Sequence, residues 1–258
     1  MRKVYFLCCV LLSANALAQK NVKESVSLEK PPKIDGDVSD WPAEWWIDPN
    51  GKFFCNVAND ADNLYVRLKV ADDVTQQKIG LFGLSLKLNP SGKRKGKVGL
   101  KYPVGKDASE FKKNEPTAVN KGSDVTSMVQ MKKDLVSDVE VVELIGLAKK
   151  NIVSSRLGLA NGIESIIVAL DDGAYVYEAK IPFKAFRIKK SEVNALGVEF
   201  ETGRFISQSK NSASNTGYSS PTRMPGSYGQ QQPRVYYSNY QYNALSSPGY
   251  YFVSVKLK

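Results

Sequence analysis

The sequence predicts an all-β fold, an antiparallel sandwich (jelly-roll or immunoglobulin-like) of about ten strands, following a short cleaved export signal. Three observations predict it. Apolar and polar residues alternate through run after run of the chain, clusters of Gly, Asp, Asn and Pro separate the runs, and no long stretch repeats at helical spacing. Alternation of this kind belongs to strands that bury one face and wet the other.

The N-terminus comes first. Arg2 and Lys3 precede the apolar run Val4 to Leu12, and Ala16-Leu17-Ala18 forms a small-x-small cleavage pattern ahead of Gln19. The apolar run is well short of the roughly 20 residues that cross a bilayer. Residues 1–18 therefore read as a secretory signal peptide, and residues 19–258 as one exported domain, periplasmic, cell-surface or extracellular. No later segment is long and apolar enough to be transmembrane. Without Cys8 and Cys9, the exported chain keeps Cys55 alone, in Phe53-Phe54-Cys55-Asn56-Val57, where a buried strand residue is expected.

Leu64, Val66, Leu68 and Val70 share one face of the next strand, with Tyr65, Arg67 and Lys69 on the other. Leu84, Leu86 and Leu88 alternate with Ser85 and Lys87, and Asn89-Pro90-Ser91-Gly92 turns that strand toward another near Val98–Tyr102. Residues 136–150 are open to helix or strand, and their Val and Ile content favours strand. Ile163 to Leu170 and Tyr175 to Ile181 flank Asp171-Asp172-Gly173, which is hairpin chemistry. Val198 and Phe200 oppose Glu199 and Glu201, and Tyr251, Val253, Val255 and Leu257 define a closing strand. Between these last two lies a stretch, residues 203–249, dense in Tyr, Ser, Gly and Gln. Such a composition suits either a recognition loop or a low-complexity insertion.

Composition narrows the function. The chain has no histidine, which excludes Ser-His-Asp and Cys-His nucleophile systems and His-held zinc or haem. The net charge is +10, and cations crowd the stretch after Leu86: Lys87, Lys93, Arg94, Lys95, Lys97, Lys101, Lys106, Lys112 and Lys113. No nucleic-acid-binding signature accompanies them, so nucleic acid is not an expected partner. A lysine-rich hairpin tip, solvated for its own sake, is the simplest reading, and an acidic polymer is the alternative partner.

Ile34-Asp35-Gly36-Asp37-Val38-Ser39-Asp40-Trp41-Pro42 resembles the opening of family 9 carbohydrate-binding modules and related DOMON-type domains. Asp60-Ala61-Asp62-Asn63-Leu64-Tyr65-Val66, Tyr177-Glu178-Ala179-Lys180-Ile181-Pro182-Phe183, Leu196-Gly197-Val198-Glu199-Phe200 and the final Pro248–Leu257 resemble later blocks of that family, in the expected order. The resemblance implies a β-sandwich that binds sugars without cleaving them, often beside secreted polysaccharide-degrading enzymes.

A sugar site needs flat rings for the apolar face of a pyranose and planar polar groups for its hydroxyls. The candidates are Trp46, Tyr228, Tyr236, Tyr237 and Tyr240 for stacking and Arg204 for hydrogen bonding. Trp41 is expected to pack structurally. Trp45 and Trp46 are adjacent, so in extended chain they face opposite ways. The expected function is thus an exported, non-catalytic carbohydrate-binding protein recognising a poly- or oligosaccharide. The alternative is an envelope interaction protein that docks another protein or an anionic polymer through the basic hairpin and Tyr-rich loop. Glu199 and Glu201 share a strand face, yet a polar outer face accounts for them better than a glycosidase pair. No cofactor is expected. Asp35/Asp37/Asp40, Asp60/Asp62 and Asp72/Asp73 offer oxygen ligands for a structural calcium ion, with turn formation as the simpler account.

Overall fold

A computed structural model describes residues 22–105, 125–137, 139–155, 161–205 and 244–258. The proposed signal peptide and most of the 203–249 stretch lie outside the described residues.

Two sheets face each other. The five-stranded sheet runs β2(Trp46–Ile47), β3(Phe53–Asn59), β4(Asn63–Val70), β10(Tyr175–Pro182) and β9(Glu164–Ala169) in spatial order, antiparallel throughout. The seven-stranded sheet runs β1(Val22–Glu24), β12(Tyr250–Lys256), β11(Leu196–Thr202), β5(Leu84–Asn89), β6(Val98–Lys101), β7(Val141–Ile145) and β8(Ile152–Ser155). All its pairs are antiparallel except β1 with β12. The β-sandwich expected from the alternation is present, and each alternating run lies in a strand whose apolar set points inward.

One core joins the layers. Cys55, Val57, Leu64, Val66, Leu68 and Ile181 of the first sheet and Leu84, Leu86, Leu88, Leu100, Val198 and Phe200 of the second are all buried in it. Aromatic rings cross between the sheets. Phe53 and Phe200 each stack on Tyr251, at 6.0 and 6.4 Å between ring centroids, and Tyr177 meets Phe200 edge-on at 6.4 Å. Contacts of this kind add to the area term, which is the main source of stability. Burial pushes the Cys55 thiol well above its ordinary value, which makes it an inert core residue.

Within residues 136–150 the favoured strand is present as β7 at Val141–Ile145, whereas Val136 is the last residue of a helix. Two helices stand where only strands and loops were expected. The first, α1(Asp73–Phe82), carries the chain from β4 across to β5. The Asp72 carboxylate caps it by accepting from the Thr75 amide at 2.9 Å, so this aspartate opens a helix rather than a turn. The second, α2(Val125–Val136), packs on α1 and β9. It is tied to the five-stranded sheet by the Tyr175 hydroxyl, which donates to the Lys132 carbonyl at 3.0 Å.

Candidate functional site

Everything distinctive about the site follows from one row of side chains on the outer face of the five-stranded sheet. Strand register sets Asn56, Arg67 and Glu178 side by side on β3, β4 and β10. All three are essentially inaccessible to solvent. An outward-facing polar row is buried only if something covers it, and the cover is the segment from Val26 to Trp45. Trp41 packs on Ala58 and Tyr65, with Val26, Leu28 and Ile34 around them.

The row fastens that cover. Glu178 Oε2 accepts from the Gly36 amide at 2.9 Å. Gly36 has φ +86°, and a Cβ there would lie 2.8 Å from a Val168 methyl, so only glycine fits. The Arg67 guanidinium donates to the carbonyls of Val38 (3.3 Å), Pro42 and Glu44 (3.3 Å), and Asn56 Nδ2 donates to the Glu44 carbonyl at 2.8 Å. The guanidinium carbon lies 3.7 Å from the Trp45 ring centroid and 5.2 Å from that of Trp41. Cation–π attraction is strongest where water is excluded, as here. Burial pushes Arg67 down to about 10, which leaves it cationic at neutral pH. Burial pushes the Glu178 carboxyl the other way, up to about 7, opposed by the Gly36 N–H and reinforced by the nearby Asp40 and Asp35.

Beside this fastening an open cleft of about 420 Å³ runs between the sheet and the helices. Trp45, pinned from beneath by Arg67, and Phe54 of β3 form its aromatic wall. Its rim is charged. Lys69 of β4 pairs with Asp172 in the β9–β10 turn at 3.1 Å, and Lys132 of α2 pairs with Asp73 at the start of α1 at 2.8 Å. Lys132 also donates to the Gly173 carbonyl at 3.4 Å. Asp172 is held below the ordinary carboxylate range, chiefly by the Ala174 amide and with help from Lys69, so it stays an acceptor at neutral pH. The cleft therefore presents two rings, two carboxylates and two ammonium groups to one volume. That set can stack on a flat apolar face while exchanging hydrogen bonds with hydroxyls on its edge.

The residues expected from sequence fall differently. Trp46 lies in β2, opposite Cys55, half-buried and packed on the main core. Its neighbour Trp45, also half-buried, lines the cleft, so the two rings of the pair are directed to opposite sides of the sheet, with Trp45 rather than Trp46 on the cleft side. Arg204 lies exposed just beyond β11 on the other sheet, near Tyr250, and is not brought to the cleft. Tyr228, Tyr236, Tyr237 and Tyr240 lie outside the described residues. Glu199 is buried and accepts from the Lys95 amide at 2.8 Å, and Glu201 pairs with Lys87 and accepts from the Tyr250 hydroxyl at 3.2 Å. These two carboxylates are therefore engaged rather than simply solvated.

The acidic clusters hold backbone. Asp37, Asp60 and Asp48 accept amide hydrogens of their own turns, and among the described residues no three acidic or Cys side chains converge as a metal site. Asp60 also accepts from the Tyr65 hydroxyl at 2.7 Å, which ties the acidic turn to the strand after it.

No family model, no curated protein and no solved structure matches the chain. What can be said of the site rests on its own geometry.

Proposed function

We propose that the protein is an exported, non-catalytic carbohydrate-binding protein, and that the cleft walled by Trp45 and Phe54 is where it holds sugar. The observation that carries this reading is the cleft itself: an aromatic wall rigidly backed by Arg67 and faced by a rim of paired charges. Its volume falls in the roughly 300–1,000 Å³ range of ligand clefts. In this role Trp45 stacks on the apolar face of a pyranose, Asp172 and Asp73 accept from hydroxyls, and Lys69 and Lys132 donate to ring or hydroxyl oxygens. The resemblance of residues 34–42 to the opening of family 9 modules supports the same reading. That segment is the one that delivers Trp45 to the cleft.

The test is a glycan screen of the chain without residues 1–18, read by intrinsic fluorescence. Trp45→Ala is expected to weaken binding of the responding glycan about tenfold or more, the loss of one stacked ring. Trp46→Ala is expected to lower stability instead. Glycan affinity that survives Trp45→Ala unchanged removes the cleft from the function.

A further inference from the structure

The loop between β5 and β6 carries Lys93, Arg94, Lys95 and Lys97, all exposed and none in an ion pair among the described residues. Lysines at a hairpin tip are ordinarily long, free side chains on a free loop. This loop is not free. It bends back and lies strapped across the outer face of its own sheet. Asn89 starts the bend by accepting from the Ser91 amide at 3.0 Å and donating to the Arg94 carbonyl at 3.1 Å. The Lys95 amide, in left-handed conformation at φ +66°, donates to buried Glu199. At Gly197 the crossing is so close that a Cβ would stand 2.4 Å from the Lys93 carbonyl oxygen. Arg94 rests its guanidinium 5.5 Å from the centroid of the Phe252 ring.

From this we infer that the strapped loop is a preorganised docking surface for an acidic polysaccharide, a site separate from the cleft. Backbone strapping removes most of the ordering cost that a mobile lysine tip would meet on binding. Four cations within five residues present a high positive field to a chain of repeated carboxylates or sulfates. A guanidinium laid on a ring is oriented for two-point contact with such a group. The surface suits a polysaccharide better than a bilayer or a nucleic acid. Its tip holds no large apolar side chain to enter lipid, and the Phe252 ring of β12 beneath it is already covered by Arg94.

The experiment uses polygalacturonate as probe and the chain without residues 1–18 as protein, with affinity measured at about 50 and about 500 mM salt. Binding is expected at low salt and is expected to be lost at high salt. The triple variant Lys93→Gln, Lys95→Gln, Lys97→Gln should weaken it about tenfold or more. The control removes equal charge elsewhere, with Lys184→Gln, Arg187→Gln and Lys189→Gln, and should weaken it far less. Equal losses from both triples mean attraction to net charge alone and overturn the site. Absence of low-salt binding overturns it too, as does tighter binding to anionic vesicles or duplex DNA than to polygalacturonate. The same triple variant should leave the affinity for a neutral glycan held in the cleft unchanged, since none of the three lysines lines it, so failure here and failure of the cleft are read separately.

Discussion

The two sheets of the sandwich solve one problem in two ways. Each has an outer face on which the chain lays a strap, and the straps are held by different physics. Over the five-stranded sheet the cover is fastened by buried side chains, with Arg67 on three carbonyls and Glu178 on the Gly36 amide. Over the seven-stranded sheet the loop is held mainly by close backbone approach at Gly197 and by amide contacts from Asn89 and Glu199. The first arrangement buries charge and exposes an aromatic cleft beside it. The second keeps its cations in water. A strap pinned by a buried ion is rigid but depends on that ion, whereas a strap pinned by shape depends on there being no side chain beneath it.

The largest expected effect comes from breaking the first strap at its hub. Arg67→Met leaves the Pro42 carbonyl without its donor, leaves the Val38 and Glu44 carbonyls to the Trp41 amide and Asn56 alone, and takes the cation from beneath Trp45. The cost is expected to be on the order of 3–5 kcal/mol, as for a buried charged partner removed alone. Urea denaturation gives the value from the shift in midpoint, and the Trp45 environment is expected to change in fluorescence before the global transition. A loss below about 1 kcal/mol is the size of a surface pair and would show that the guanidinium does not hold the cover.

Breaking the second strap should cost less. Gly197→Ala places a methyl against the Lys93 carbonyl, and the loop has to lift to make room. An overpacked contact of this kind costs about 1–3 kcal/mol. The variant should also lose affinity for polygalacturonate, although it removes no charge. Full retention of both stability and affinity would mean that the strapping contributes nothing to the surface.

The comparison also marks what the sequence made legible. Strands were legible because period-two alternation is a direct consequence of burying one face, and β4, β5, β9, β10, β11 and β12 lie on the runs that alternate. The helix α1 was not, because Val74, Thr75 and Ile79 blur helical preference and Asp72 reads as a turn until its side chain is seen capping Thr75. The cleft was illegible for a different reason. Trp45, Phe54, Lys69, Asp73, Lys132 and Asp172 come from separate segments, and Lys69 meets Asp172 only because β4 pairs with β10. Of the adjacent tryptophans, alternation requires that they part. Which of them faces the core depends on the register of β2 against β3, and that register is not written in the pair itself.

The test that most sharply separates the straps is one of pH, since it needs no loss of packing. Glu178 is held at about 7 in the folded chain against an ordinary 4.5, because burial disfavours its charged form. In the pH range between these values the unfolded chain releases this proton more readily than the folded one. The contribution of Glu178 to stability is therefore complete below 4.5, declines as pH rises, and is lost as pH passes 7. Glu178→Gln keeps an acceptor for the Gly36 amide and abolishes the titration, so its stability should fall less than that of the wild type between about pH 5 and about pH 8. Denaturation midpoints of the two proteins across this range give the difference directly. Parallel curves would place the Glu178 pKa near its ordinary value and would make the cover over the five-stranded sheet as indifferent to pH as a strap held by shape alone.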